Sequence, residues 1–326
     1  MNLTNCFIRA SSLAALALAL TAAGAIAQQY PSQALRILVP IPPGGAPDVV
    51  ARLVAPRLSE ALRQPVVVEN RAGSNGVIAT EATAKAAPDG YTLMLGPEGM
   101  VAINPHLYAK MPVNAIRELV AVASIFRASF VMAINAGLPA TNFREFIETA
   151  RKAQPPLTYA SGGNGSQHQL IMEMVKSRSG IDLLHVPYKG GAPATTAAVA
   201  GEVAVLFAGA SVMTQVKAGK LRALAVSGER RAASFPDLPA LGEFYPGAGI
   251  NPWAALYAPA ATPRPIMQRL NTEINRILAQ ASIAEKFDGL GGVEPFISSL
   301  DEVAALLQAQ YALYGRLIKE VGATLD

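Results

Sequence analysis

The chain reads as short apolar runs, each closed by a glycine- or proline-rich break and followed by a stretch with helical spacing. Arg36-Ile37-Leu38-Val39-Pro40 is the first run and has the length of a buried strand. Pro42-Pro43-Gly44-Gly45 breaks it. From Asp48 the period changes, and Val50, Leu53, Val54, Leu58 and Leu62 share one helical face. Asp48 is placed to cap that helix or to complement its positive end, and Pro56 inside the pattern predicts a kink. The pattern then repeats. Pro65 to Glu69 reads as a strand, Arg71 to Gly76 as a loop and Val77 to Ala87 as an alanine-rich helix. After the turn Pro88-Asp89-Gly90, Tyr91 to Leu95 is a third strand.

A second series starts near Phe130. Its strands are expected at Phe130–Asn135, Leu157–Ala160, Leu183–Pro187, Val203–Phe207 and Leu221–Val226. Helices fall between them, the first over Asn142–Ala153 with Thr141 as its cap. Beyond the loop-rich stretch Phe235–Pro252, Trp253–Ala258 is extended, and Pro263–Leu278 and Leu300–Val321 are helical. Strands alternating with helices imply βαβ units and parallel sheets covered on both faces. The expected fold class is α/β, with two doubly wound α/β domains. The last helices have no strands of their own to cover, so they are expected to return to the first domain. Residues 28–126 plus 253–326 would form one domain and 127–252 the other, joined by a two-crossing hinge near residues 127 and 252.

Composition narrows the function classes. Apolar residues make up 51% of the 326 and charged residues 15%, which favours a large core over disorder. The net charge of +4 is mild for this length, and no basic stripe carries interleaved aromatics, so nucleic acid is not an expected partner. Arg9, the apolar run Ser11–Gly24 and the small-x-small site Ala25-Ile26-Ala27 form the three parts of a cleavable signal peptide over residues 1–27. Export to the periplasm is therefore expected. The one cysteine, Cys6, lies inside that leader, so the mature chain would hold no disulfide, no thiolate nucleophile and no cysteine metal site.

Catalytic signals are weak. His106, His168 and His185 lie far apart, and none has metal-ligand spacing to a second ligand. There is no nucleophile elbow and no phosphate loop, and Gly163-Asn164-Gly165 lacks the third glycine of a dinucleotide fingerprint. No enzyme activity, cofactor or metal is expected. The sequence offers instead three glycine-rich loops that each open a helix: Pro43-Gly44-Gly45-Ala46, Gly162-Gly163-Asn164-Gly165 and Gly190-Gly191-Ala192. Ligands of open α/β sheets bind outside the carboxyl ends of the strands, where such loops present backbone N–H groups to an anion. Each loop also reads as a plain tight turn; three of them over both domains point to a cleft.

A longer set of motifs resembles a known family. It comprises Tyr30-Pro31-Ser32, Val39 to Gly45 with Asp48, Val67 to Arg71, Ala87 to Leu93, Ile103-Asn104-Pro105, Tyr159-Ala160-Ser161 with Gly163-Asn164-Gly165, His185 to Gly190, and Ala218 to Val226. In that order, and over essentially the whole mature chain, they are similar to the substrate-binding proteins of tripartite tricarboxylate transporters, also called Bug proteins. The resemblance implies the type II periplasmic binding architecture, a two-domain periplasmic receptor that closes on a small carboxylate: an amino acid, a di- or tricarboxylate, or an aromatic acid. It implies ligand contacts at Pro43, Gly44, Gly45, Ala46 and Asp48, and at Ser161, Gly163, Asn164 and Gly165. The implied partner is a membrane permease with one large and one small subunit, served by a monomeric receptor. The sequence departs from the family pattern in three places. Ala46-Pro47 replaces Gly-Thr, Glu98 stands where a small hydroxyl residue is common, and Ala208-Gly209 replaces Asp-Asn. Glu98 and Ala208 are therefore expected to alter the cleft, with Glu98 meeting a hydrogen-bond donor on the ligand. Two other readings use the same features: a periplasmic sensor that reports its ligand to a signalling partner, and a secreted hydrolase.

Overall fold

The computed structural model describes residues 30–290 and 292–322; the expected signal peptide and Cys6 lie outside them. The chain opens with β1 (Leu35–Val39), α1 (Ala46–Leu62), β2 (Val66–Asn70), α2 (Val77–Ala84) and β3 (Thr92–Pro97). β2 and β3 flank β1 in parallel, and α1 packs over them. β1 therefore buries Leu35, Ile37, Leu38 and Val39 on both faces, which is why it reads as a continuous apolar run. α1 buries Val50, Val54, Leu58 and Leu62, and Pro56 falls inside it without dividing it.

Three short helices follow, α3 (Gly99–Ala102), α4 (Asn104–Leu107) and α5 (Ala115–Glu118), then the ten-residue strand β4 (Leu119–Ala128). The second series comprises β5 (Val131–Asn135), α6 (Phe143–Lys152), β6 (Leu157–Ser161), α7 (Gln167–Ser179), β7 (Leu183–Pro187), α8 (Gly191–Ala200), β8 (Val205–Ala208), α9 (Met213–Lys217) and β9 (Leu221–Val226). The chain ends with α10 (Leu241–Phe244), β10 (Trp253–Pro259), α11 (Arg264–Leu278), α12 (Ala281–Asp288), β11 (Val293–Pro295) and α13 (Leu300–Val321).

The strands form two sheets, ordered β11-β4-β10-β3-β1-β2 and β7-β6-β8-β5-β9. They are mixed, not purely parallel as the sequence pattern predicted. β10 is antiparallel to β3 and β4, β11 to β4, and β5 to both β8 and β9. These antiparallel strands lie next to the two places where the chain crosses between sheets, at 128–131 and 226–253. β4 and β11 have no counterpart in the sequence-based reading. The cap of α6 also differs. Asn142, not Thr141, accepts the Glu145 N–H at 3.0 Å, while Thr141 bonds the Glu145 carboxylate.

One apolar cluster lies between the first sheet and α1 and α11, where Ile37, Leu58, Leu256, Leu270 and Ile274 are buried. Another packs the alanines of α8 (Ala194, Ala197, Ala198) on Val131 and Leu206; small side chains let that helix approach its sheet closely. A third joins the two sheets. It contains Met94 and Tyr257 from the first, Met132, Tyr159 and Leu170 from the second unit, and Tyr314 and Leu317 of α13. The C-terminal helix thus touches both β4 and α7. Among the described residues no helix is long and apolar enough to cross a membrane.

Candidate ligand-binding cleft

A cleft of about 490 Å³ opens where the carboxyl ends of the parallel strands of both sheets meet. Gly44, Gly45, Ala46 and Pro97 line it from the first sheet's loops. Gly191, Ala192 and Thr195 of α8 and Ala208 to Ser211 after β8 line it from the second. Ala128, Ser129, Phe130, Pro252 and Trp253 come from the two chain crossings, with Phe126 and Val293 beside them. None of the described lining residues is charged.

The first wall is held by Asp48. Its carboxylate, on a side chain 4% exposed, accepts the Gly44 N–H at 2.9 Å, the Asn70 amide at 2.8 Å and Arg52 Nε at 3.0 Å. Burial alone would raise its pKa; these donors outweigh burial and hold it below the ordinary range. Gly44 adopts φ +91°, a left-handed conformation that costs a side chain little only at glycine. The loop is thereby bent so that α1 begins at Ala46, facing the cleft, with the Ala46 and Asp48 N–H groups unpaired within the helix, while Pro47 has none to offer.

The second wall has the same plan. α8 begins at Gly191 after Gly190, which has φ +110°. Its first turn points at the cleft opposite α1. Behind it, Ser161 Oγ organises the Gly162–Gly165 turn. It accepts the Gly163 N–H at 3.1 Å, lies 3.0 Å from the Gly163 carbonyl and 2.7 Å from His185 Nε2. Gly190 N–H donates to the Gly162 carbonyl at 3.2 Å, tying that turn to the start of α8. His185 stacks on Tyr159 at 4.7 Å, and desolvation keeps its pKa below the usual histidine value.

Glu98 sits at the base of the cleft but does not line it. It is fully buried. Gln167 Nε2 donates to its Oε1 at 2.6 Å, the Tyr314 hydroxyl to the same oxygen at 2.9 Å, and the Trp253 N–H to its Oε2 at 3.1 Å. Desolvation, opposed by those donors, pushes its carboxyl up to about 7. Glu98 was expected to meet a donor on the ligand directly; it is instead shut off from the cleft surface, with protein donors on both oxygens.

The structure therefore brings Gly44, Gly45, Ala46 and Ala208 together on the cleft surface. Pro43 stands exposed on its shoulder, Asp48 and Ser161 lie beneath the loops, and Gly163, Asn164 and Gly165 are not among the lining residues. The sequence reading missed Phe126, Phe130 and Trp253, which come from a strand it did not identify or from the crossings. It also missed Gln167, whereas the start of α8 was marked by Gly190-Gly191-Ala192. Among the described residues, no group of three or more His, Cys, Asp or Glu is placed to hold a metal.

Comparison with known proteins places this geometry in context. The family model described as the tripartite tricarboxylate transporter family receptor matches residues 50–323. BugT of Bordetella pertussis is 34% identical over 307 residues, spanning 93% of this chain and 94% of that protein. Among solved structures, R. palustris Rpa4515 with adipate superposes with a TM-score of 0.81 at 32% identity, covering 91% of this chain and all (100%) of that one. MatC (Rpa3494) from Rhodopseudomonas palustris, with bound malate, gives a TM-score of 0.76 at 26% identity, covering 89% and 100%.

Proposed function

The chain belongs to the tripartite tricarboxylate transporter receptor family, and from that premise we propose that it captures a small carboxylate between the starts of α1 and α8 and delivers it to a membrane permease with a large and a small subunit. The observation that carries the reading is a cleft whose described lining holds no charged side chain, faced from both sides by helix N-termini. Such ends favour an anion through unpaired N–H groups and the helix dipole. A carboxylate held this way needs no arginine and exchanges readily. Adipate and malate, bound by the two related structures, are of the same chemical class.

The division into 28–126 plus 253–326 and 127–252 is part of this proposal, and the membership of the two sheets supports it. Closure of the units on the acid would stabilise the bound form only as far as the acid binds that form better. Periplasmic location after removal of residues 1–27, a monomeric receptor and the absence of catalysis belong to the same reading. The Ser161–His185 pair has the distance of a nucleophile and base, but Ser161 is fully buried and its hydroxyl is spent on the Gly163 turn; this argues against hydrolysis. The test is native mass spectrometry of the purified mature protein, followed by denaturing release and identification of the bound molecule. An intact organic acid is expected. An empty protein that no amino, dicarboxylic or aromatic acid stabilises against heat would overturn the proposal.

A further inference from the structure

Among the described lining residues, Gln167 is the one whose side chain bonds to the buried carboxylate, and the bond fixes which end of its amide is free. An ionised carboxylate only accepts hydrogen bonds, so the group 2.6 Å from Glu98 Oε1 is the Gln167 NH2. The same nitrogen lies 3.3 Å from the Tyr314 hydroxyl. The carboxamide lies beside Gly99. A Cβ built there would stand 3.5 Å from Gln167 Cγ and 3.6 Å from Cδ, ordinary packing distances that place the carboxamide against the start of α3. No described protein group donates to Gln167 Oε1.

We propose that Glu98 sets the polarity of Gln167 in the cleft: by holding the amide nitrogen it leaves the Gln167 oxygen as an acceptor for a hydroxyl or amino group on the bound acid. This inference rests on the proposed carboxylate-binding function and names its substrate class, acids that carry a second O–H or N–H donor. Glu98 is the positioning residue and Gln167 the one that meets the ligand. A site built to pair a donor discriminates against analogues that lack it, since its acceptor is then left unpaired.

The device depends on the charge of Glu98. A protonated Glu98 can donate to the Gln167 oxygen, and the amide then turns its NH2 to the cleft. Burial places that change near pH 7. Other titratable groups around it do not compete in this range. Tyr314 of α13 and Tyr257 of β10 are held well above their usual range, mainly by burial, and His168 of α7, whose Nδ1 is buried without a partner, is pushed down to about 4. Among the described residues no cation pairs with Glu98.

The experiment compares matched acids by calorimetry at pH 8.5: succinate with malate, butyrate with 3-hydroxybutyrate, and benzoate with 3-hydroxybenzoate. For whichever pairs bind, the hydroxylated member is expected to bind about fivefold to tenfold more tightly, the worth of one hydrogen bond. The preference should shrink at pH 5.5. It should vanish in Gln167→Met and be lost or reversed in Glu98→Gln, whose amide oxygen is claimed by the Trp253 N–H and whose NH2 then faces Gln167. Should Glu98→Gln fail to fold, Gln167→Met and the wild-type pH comparison decide. Equal affinities within every pair, or a preference unchanged by pH and by Gln167→Met, overturn the proposal and leave the proposed function standing. If none of the acids binds, nor any acid of the wider screen, both fall.

Discussion

Asp48 accepts hydrogen bonds from a backbone amide, an asparagine and an arginine, and is almost fully buried. The sequence placed it at a helix start, and the structure adds why the position needs an acid: among the described residues the Gly44 N–H has no other partner. Asp48→Ala is expected to cost about 1–3 kcal/mol, the range for stranding buried polar groups, read as a lower midpoint in urea with an unchanged slope. A midpoint equal to wild type would show that the bonds add nothing to the loop. Glu98 carries a different prediction. Burial raises its carboxyl from 4.5 to about 7, so the native state binds the proton more tightly than the unfolded chain. Stability tied to Glu98 is therefore full below about 4.5 and is lost as pH rises through about 7. Melting wild type and Glu98→Gln at pH 5, 6, 7 and 8 should show the wild type losing ground across that range. Parallel curves would contradict the assignment. The sequence showed that an acid stands at position 98, but not that three separate elements would close over it.

At the scale of elements, local pattern served where local forces decide. β7, β9 and α13 match their predicted limits, because each is bounded by turn residues or a cap that acts within a few positions. β4 escaped notice because its apolar run shows no clean alternation. It is buried between β10 and β11, and its one central polar group, Ser124, is satisfied by the Phe296 carbonyl at 2.6 Å and Ser298 Oγ at 2.7 Å. Those partners lie over 170 residues away, out of reach of any local rule. The antiparallel placing of β10 is tertiary in the same way. α13 shows what a local cap contributes. Ser299 and Glu302 form a reciprocal capping box, with the Glu302 N–H 3.3 Å from Ser299 Oγ and the Ser299 N–H 2.8 Å from Glu302 Oε2. Ser299→Ala should destabilise by about 1 kcal/mol in a denaturant titration. A loss within error of zero would show that packing of Tyr314 and Leu317 alone holds the helix.

For the whole molecule, the alternation of strands and helices was enough to anticipate two α/β units, and the glycine loops marked one end of each sheet as the place for a ligand. The aromatic side of the cleft was not legible, since Phe130 and Trp253 reach it only through the two crossings between sheets. The central claim is that a carboxylate is held there by backbone amides at two facing helix starts. Calorimetry on the acid recovered from the purified protein, compared with its methyl ester, tests this most directly. The ester keeps the body of the ligand and removes the charge. The account predicts saturable binding of the acid and at least a hundredfold weaker binding of the ester, the loss of charge-assisted hydrogen bonds of about 3 kcal/mol. Equal affinity for acid and ester would contradict it.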